Sequence, residues 1–388
     1  MKNLVWVFFV IFSFSSNLFP GDINREGTAG NSALAFPSGY GIRNLNGLGN
    51  SGLINSTSNL GFLNPASISF LQNLSIGLTY QINTPTYYPE PFEEISLPRV
   101  YNFIPQSFGA VYHYQDFSFG LSLSQEFNSG LNFGEIPKTT LQYPEGTGTT
   151  FTPILEHTIN KYSLSVAYRF NDILSDNNNL SIGFRYNFNQ LHSYEKILDV
   201  VIDESVFNSG FEFGLIYGLN DSQNMFGMHL KSGSSFTISN DNNNNLDLDT
   251  TRGSYYIISQ IPDWIEETPY ELCFEGLFQL DDDLQVSAFL SNIFWDGIDR
   301  TILTNQFDIS SSLIYNFNNS ITGSAGILLS NCSVVENYEN EFNALFFMGG
   351  LKINFESFNI DIALADSHLI SGELRKQFIA KAGLEIQL

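Results

Sequence analysis

Charge is what this chain has least of. Asp, Glu, Lys and Arg make up 14% of its 388 residues, against about a quarter in an ordinary soluble domain. Basic residues are the scarcer kind: 16 Lys and Arg stand against 40 Asp and Glu, a formal net charge of −24. That balance excludes nucleic acid as a partner, because nucleic acid rewards a basic surface. Cysteine is nearly absent. Cys273 and Cys332 form no metal-ligand spacing and are too few for a disulfide framework, so both read as free thiols. Long apolar runs are missing as well. The run Leu4 to Phe14 is about half the length that a spanning helix needs. It follows Lys2 and reads as the core of a secretory signal. Ser13, Ser15 and Ser16 supply small residues there, and the mature chain is placed near Gly21, which assigns residues 1–20 to the signal.

Catalytic patterns are also lacking. The five His (His113, His157, His192, His229 and His368) show no metal spacing. There is no G-x-S-x-G and no H-E-x-x-H, and "GTAGNSALAFPSG" carries no P-loop lysine. The acidic tract "SNDNNNNLDLDTT" (239–251) lacks the calcium-loop pattern and reads as a solvated loop. The expectation is therefore no enzyme, no catalytic residue, no cofactor and no metal.

What the chain has instead is aromatics on alternating segments, with 36 Phe and 18 Tyr. "LSIGLTYQI" (Leu74 to Ile82) places Leu74, Ile76, Leu78, Tyr80 and Ile82 on one face and Ser75, Gly77, Thr79 and Gln81 on the other. "LSIGFRYNF" (Leu180 to Phe188), "FEFGLIYGL" (Phe211 to Leu219) and "FDISSSLIYNF" (Phe307 to Phe317) repeat the pattern. A period of two is a strand. About fourteen such segments follow from residue 73, with one face apolar and the other Ser, Gly, Asn and Thr. Short breaks alternate with long ones, at 84–105, 129–157, 195–205, 239–268, 296–304, 333–341 and 368–375. A β-sandwich would carry charged outer faces and unsorted loops. Two loop classes and an apolar outer face specify an all-β transmembrane antiparallel β-barrel in a bacterial outer membrane, in contact with its lipid.

Residues 21–72 are not needed for the wall, which is placed at 73–388. This first stretch is glycine-rich, weakly periodic and poorer in charge than an exposed tail. A barrel of about fourteen strands leaves a lumen to fill, so the segment is expected inside it as a plug, or hatch. Near its end stand Asn64, Pro65 and Ala66, immediately before the alternating "SISF". Pro65 fixes its own φ and biases Asn64 to extended backbone, while the Asn side chain can bond nearby backbone.

If the aromatic face meets lipid, Arg169 and Arg185 on adjacent strands face the lumen, and Glu212, Lys231, Glu271, Glu275, Lys381 and Glu385 can join them. Each arginine can pair with a ligand carboxylate or with a neighbouring Glu. Both options stay open at this point. Among long-loop residues, Tyr87, Tyr88 and Phe92 are candidates for capturing an apolar solute.

"GLGNSGLINSTSNLGFLNPASISFL" (Gly47 to Leu71) resembles the N-terminal hatch of the FadL-like transporters of long-chain fatty acids and aromatic hydrocarbons. "YSLSVAYRFNDILSDNNNLSIGFRYNF", "IPDWIEETPYELCFEGLFQLDDDLQVSAFLSNIFWDG" and "FDISSSLIYNFNNSITGSAGI" are similar to later hairpins of that family, in the same order. Departures are the few alanines and acids before Asn64 and a terminal Leu388 in place of an aromatic residue. The resemblance implies passive transport of a hydrophobic small molecule, gated by the hatch around Asn64 to Ala66, with an exit sideways through the wall. It also leaves an alternative, because related barrels serve as scaffold or shuttle in type IX secretion, with a protein partner. A non-transporting surface barrel is a third reading.

Overall fold

The computed structural model describes residues 41–53, 56–71, 74–83, 106–132, 136–137, 150–152, 154–173, 177–197, 200–219, 223–239, 264–298, 305–331, 343–371 and 376–388. The signal assignment, Tyr87, Tyr88, Phe92 and Cys332 lie outside them.

Fourteen strands close into one antiparallel barrel. They are β1 (Ser75–Asn83), β2 (Ser107–Tyr114), β3 (Phe117–Asn132), β4 (Ile154–Asn171), β5 (Asn179–Ile197), β6 (Val200–Leu219) and β7 (Asn224–Lys231). The circuit continues with β8 (Tyr270–Asp281), β9 (Leu284–Phe294), β10 (Gln306–Asn318), β11 (Ile321–Ser330), β12 (Ala344–Asn354), β13 (Phe358–Asp366) and β14 (Phe378–Gln387). Each strand pairs with its neighbour in sequence, and β14 closes on β1 from Ile379↔Asn83 to Gln387↔Ser75. Closure leaves the sheet no open edge, which a lipid solvent demands.

The alternation is realised side chain by side chain. On β1 the buried positions are Ser75, Gly77, Thr79 and Gln81, and the apolar residues between them point out. Ile82 is 53% exposed, Leu121 57%, Leu164 53% and Leu313 54%. A soluble protein would hide such residues; a belt of them around a closed barrel is a lipid-facing surface. The protein is therefore an integral outer-membrane barrel. No described helix is long and apolar enough to cross a membrane.

Four segments depart from expectation. In the expected long loop 195–205, residues 195–197 and 200–205 are strand, and the expected loop 129–157 is strand at 129–132 and 154–157. β4, β5 and β6 run 18, 19 and 20 residues, about twice a membrane crossing. Their upper parts carry Glu, Asp and His such as the exposed Asp203 and His192, so polar residues fall on the outer face once lipid is left behind, and the apolar alternation disappears. The expected strand 223–238 stops at Lys231. Its remainder, Ser234–Ile238, leaves the wall and pairs with Trp264–Thr268, putting Phe236 and Ile238 into a cluster with Phe127, Ile159, Leu191 and Ile202. Finally, "SISF" alternates but is not extended: Pro65–Phe70 is a short 3-10 helix. Its hydrogen bonds start from a proline at the first helical position, which suits a helix start.

Candidate functional site

Residues 41–71 lie against the inner wall, and polar wall residues hold them. Asn64 is the densest junction. Its Oδ1 accepts from the Ala66 amide at 3.0 Å, which caps the 3-10 turn. Its Nδ2 donates to Met228 O at 3.1 Å and to Leu215 O and Glu275 Oε2 at 3.4 Å, bridging β6, β7 and β8. The Gly52 amide donates to Glu275 Oε1 at 3.1 Å. Thr57 donates its hydroxyl to Glu385 at 3.2 Å, and Ser181 donates to Ala66 O at 2.9 Å.

Glycines in the wall give this backbone room. A Cβ on Gly109 would stand 2.5 Å from Thr57 O. One on Gly183 would overlap Ala66 N, and one on Gly214 would overlap Asn64 Oδ1. Gly77 pairs with Gly109, and Gly183 with Gly214, so neighbouring strands share a bare track on the lumen face. Only glycine lets backbone approach backbone this closely.

Above this track is an ionic cluster. Arg43 reaches Glu126 on β3 at 2.7 Å and Glu271 on β8 at 2.6 Å. Glu126 also meets Lys231 and, at 2.9 Å, Lys161. Lys161 continues to Glu212 at 3.0 Å. Glu126 sits at a bulge in the β3–β4 ladder, between Gln125 and Phe127, and the extra residue aims a carboxylate inward. Two adjoining cavities of about 40 Å³ each flank Arg43, Lys231 and Glu271. Ile293, Trp295, Leu328 and Phe346 form the apolar side of one, and Phe62 and Phe289 enter the other. Each holds about one water. The arrangement offers an apolar wall beside two basic side chains. Among the described residues no group of His, Cys, Asp and Glu could hold a metal.

Of the residues expected at the site, all eight charged wall positions face the lumen. Arg185 is fully buried. It donates to Ser165 Oγ at 2.9 Å, Glu212 at 2.6 Å, Gly61 O at 3.2 Å and Leu60 O at 2.7 Å. Those bonds engage all three guanidinium nitrogens with the protein itself, so the structure holds the pairing option. Arg169 lies four residues along β4, half-buried, its guanidinium 4.6 Å over the Phe70 ring. The two arginines share a wall but meet different parts of the hatch, Arg185 at Leu60 and Gly61 and Arg169 at Phe70. Sequence reasoning placed Lys231 in the lumen and missed Arg43. The available signal was a basic side chain in a glycine-rich segment expected inside a lumen that Glu212, Glu271, Glu275 and Glu385 were expected to line.

No family model matches the chain, and no curated protein matches it. The architecture is nonetheless that of outer-membrane channel barrels. CymD, a monoaromatic hydrocarbon channel, superposes with a TM-score of 0.55 at 13% identity, over 90% of this chain and 99% of that one. A Pseudomonas aeruginosa FadL homologue gives 0.53 at 12%, over 92% and 98%. The Pseudomonas putida toluene transporter TodX gives 0.52 at 12%, over 90% and 97%. At these identities what is shared is the fold.

Proposed function

We propose that this barrel carries hydrophobic small molecules passively across the outer membrane, with residues 41–71 as a hatch that must move for passage. The carrying observation is the pair of small cavities sharing Arg43 and Lys231 beside Ile293, Trp295, Leu328 and Phe346. An apolar body with one anionic end, such as a long-chain fatty acid, suits that chemistry, and an aromatic hydrocarbon can use the apolar side alone. Support comes also from the fold, which is shared with the hydrocarbon channel CymD and the toluene transporter TodX. Removal of apolar area from water drives entry, at about 25 cal/mol per Å², and no energy source or catalytic step is involved. Tyr87, Tyr88 and Phe92 remain the candidates for first capture. Asn64, Pro65 and Ala66 are the hatch's anchor to β5–β8.

Arg43 and Lys231, rather than Arg169 and Arg185, are the basic pair proposed to read a carboxylate. The test is uptake by Gram-negative cells carrying the protein, with radiolabelled palmitate and toluene in parallel. Arg43→Ala with Lys231→Ala should depress palmitate uptake and leave toluene unchanged. A charge-assisted bond is worth about 1.5–3 kcal/mol, or roughly tenfold to a hundredfold in affinity. Equal loss of both solutes, or of neither, contradicts the anchor. Uptake no faster than in cells without the barrel contradicts transport.

A further inference from the structure

We propose that the short-turn mouth of the barrel carries a saccharide site, built from neutral side chains of β9–β14 facing an apolar border from the hatch. Its ligand is a neutral hexose or N-acetylhexosamine unit. This second site is separate from the cavities at Arg43 and Lys231, and it does not depend on the passage function proposed above.

A cavity of about 450 Å³ lies at that mouth, within the range of sites that hold small ligands, roughly 300–1,000 Å³. Consecutive strands each give it one uncharged polar side chain: Gln285 on β9, Asn316 on β10, Thr322 on β11, Asn354 on β12, Asn359 on β13 and Gln387 on β14. The register sets them side by side, with Asn316 opposite Thr322 and Asn354 opposite Asn359. Leu48, Phe70 and Leu71 border the same space. One side is therefore a belt of amides, and the other is apolar.

These amides are not used up by the protein. Among the described residues, the side chains of Asn354, Asn359 and Gln387 make no hydrogen bond. Asn359 is only 5% exposed, and a polar group so buried is costly to leave unmet. The other two amides are held in place. Asn316 Oδ1 accepts from Thr322 Oγ1 at 2.9 Å, which leaves its NH2 to donate. Gln285 Nε2 donates to Gln279 Oε1 at 2.6 Å, which leaves its carbonyl to accept. Turn chemistry does not account for Asn316. The turn after β10 is closed by Asn318, whose Oδ1 accepts from the amides of Ser320 at 2.9 Å and Ile321 at 3.0 Å.

A sugar presents hydroxyls along its edge and C–H groups on its face. Each hydroxyl both donates and accepts, and side-chain amides are neutral groups that do the same. The hatch border meets the C–H face. The charges present do not favour an anion: Lys352 stands opposite Asp361 in the ladder, and Glu385 accepts from the Thr57 hydroxyl at 3.2 Å. A hydrocarbon would strand the amides, Asn359 above all. Short turns mark the periplasmic side, where such a unit is met either as free oligosaccharide or as the glycan of the cell wall.

The test is saturation-transfer NMR on the full chain, purified in a detergent without a sugar headgroup and placed in lipid nanodiscs. The probes are N,N′-diacetylchitobiose and maltose. The wild type should bind at least one of them saturably. Asn359→Leu, similar in size but without the amide, should weaken that binding by about tenfold or more. Asn354→Ala with Gln387→Ala, at less buried positions, should weaken it too and decides the matter if Asn359→Leu does not fold. Co-sedimentation with purified cell-wall sacculi separates the two sources. Sedimentation reversed by the free disaccharide assigns the wall glycan, and binding of the free sugar without sedimentation assigns a free saccharide. No saturable binding of either sugar, or binding unchanged in the variants that fold, overturns the proposal. A wild-type barrel that binds sugar but takes up no toluene removes the passage function and leaves this inference standing.

Discussion

Replacing Arg185 with alanine should release the hatch from the wall without unfolding the barrel. The side chain is wholly buried and makes four hydrogen bonds, two of them to the hatch carbonyls of Leu60 and Gly61. A hydrogen bond from a charged group contributes about 1.5–3 kcal/mol, so the two to the hatch carbonyls hold the segment by about 3 kcal/mol at the lower end. Glu212 belongs to the wall and keeps Lys161 at 3.0 Å, Asn187 at 2.9 Å and His229 at 3.1 Å, so the barrel stays folded. A loss of about 3 kcal/mol raises the opening equilibrium of the local segment by roughly 150-fold. The assay is amide hydrogen exchange of residues 57–66 in lipid nanodiscs, which reads local opening against the closed wall. Exchange there should accelerate by about two orders of magnitude, while amides within 180–188 on β5 keep their protection. Arg169→Ala removes a contact over Phe70 at 4.6 Å, worth about 0.5–1 kcal/mol, together with its other contacts, but leaves the Arg185 bonds to Leu60 and Gly61 in place, so its effect on the same peptides should be the smaller. Unchanged protection in Arg185→Ala, or equal effects from the two arginines, would refute the reasoning.

Further outcomes follow from the same contacts. Gly214→Ala and Gly183→Ala drive a methyl into Asn64 and Ala66 and should each cost about 1–3 kcal/mol in chemical unfolding, whereas Gly349→Ala, with nothing nearer than 3.9 Å, should be neutral. Leu313→Arg places a charge on the lipid belt and should lower the stability of the folded barrel in bilayers by up to about 2–4 kcal/mol if the site lies near the midplane. Leu313→Phe in the same assay should change little. Asn64→Ala empties the junction of β6, β7 and β8 and leaves the Ala66 amide uncapped. It should loosen the 3-10 turn by about 1–2 kcal/mol, read as faster exchange at residues 65–70.

Much of the wall could be read from the residues because a barrel in lipid forces a period of two with no exceptions for surface charge. "FDISSSLIYNF" yields its orientation directly: Ser310 and Ser312 face in, and Ile309 and Leu313 face out. The same rule put Arg185, Glu212, Glu271 and Lys381 in the lumen. It failed where lipid ends. Val200 to Val206 on β6 meets water on its outer face, so Asp203, Glu204 and Ser205 interrupt the pattern and the strand looks like loop. It failed again at Ser67 to Phe70, where alternation is accidental and Pro65 with the Asn64 cap sets a helical turn. The partners of Arg43 were out of reach for another reason. Residues 41–53 have no period, and Glu126 and Glu271 come to Arg43 from 83 and 228 residues away, through a path that only the folded lumen defines.

The most direct test of the account is mass spectrometry of small molecules extracted from the detergent-purified barrel, set beside a variant whose upper cavity is filled by Leu328→Trp. Hydrophobic passage predicts one apolar class, fatty acid or hydrocarbon, enriched in the wild type and depleted in Leu328→Trp at equal yield of folded barrel. Identical extracts from the two, with a protein partner co-purifying in place of a ligand, would contradict it and favour the secretion-scaffold reading.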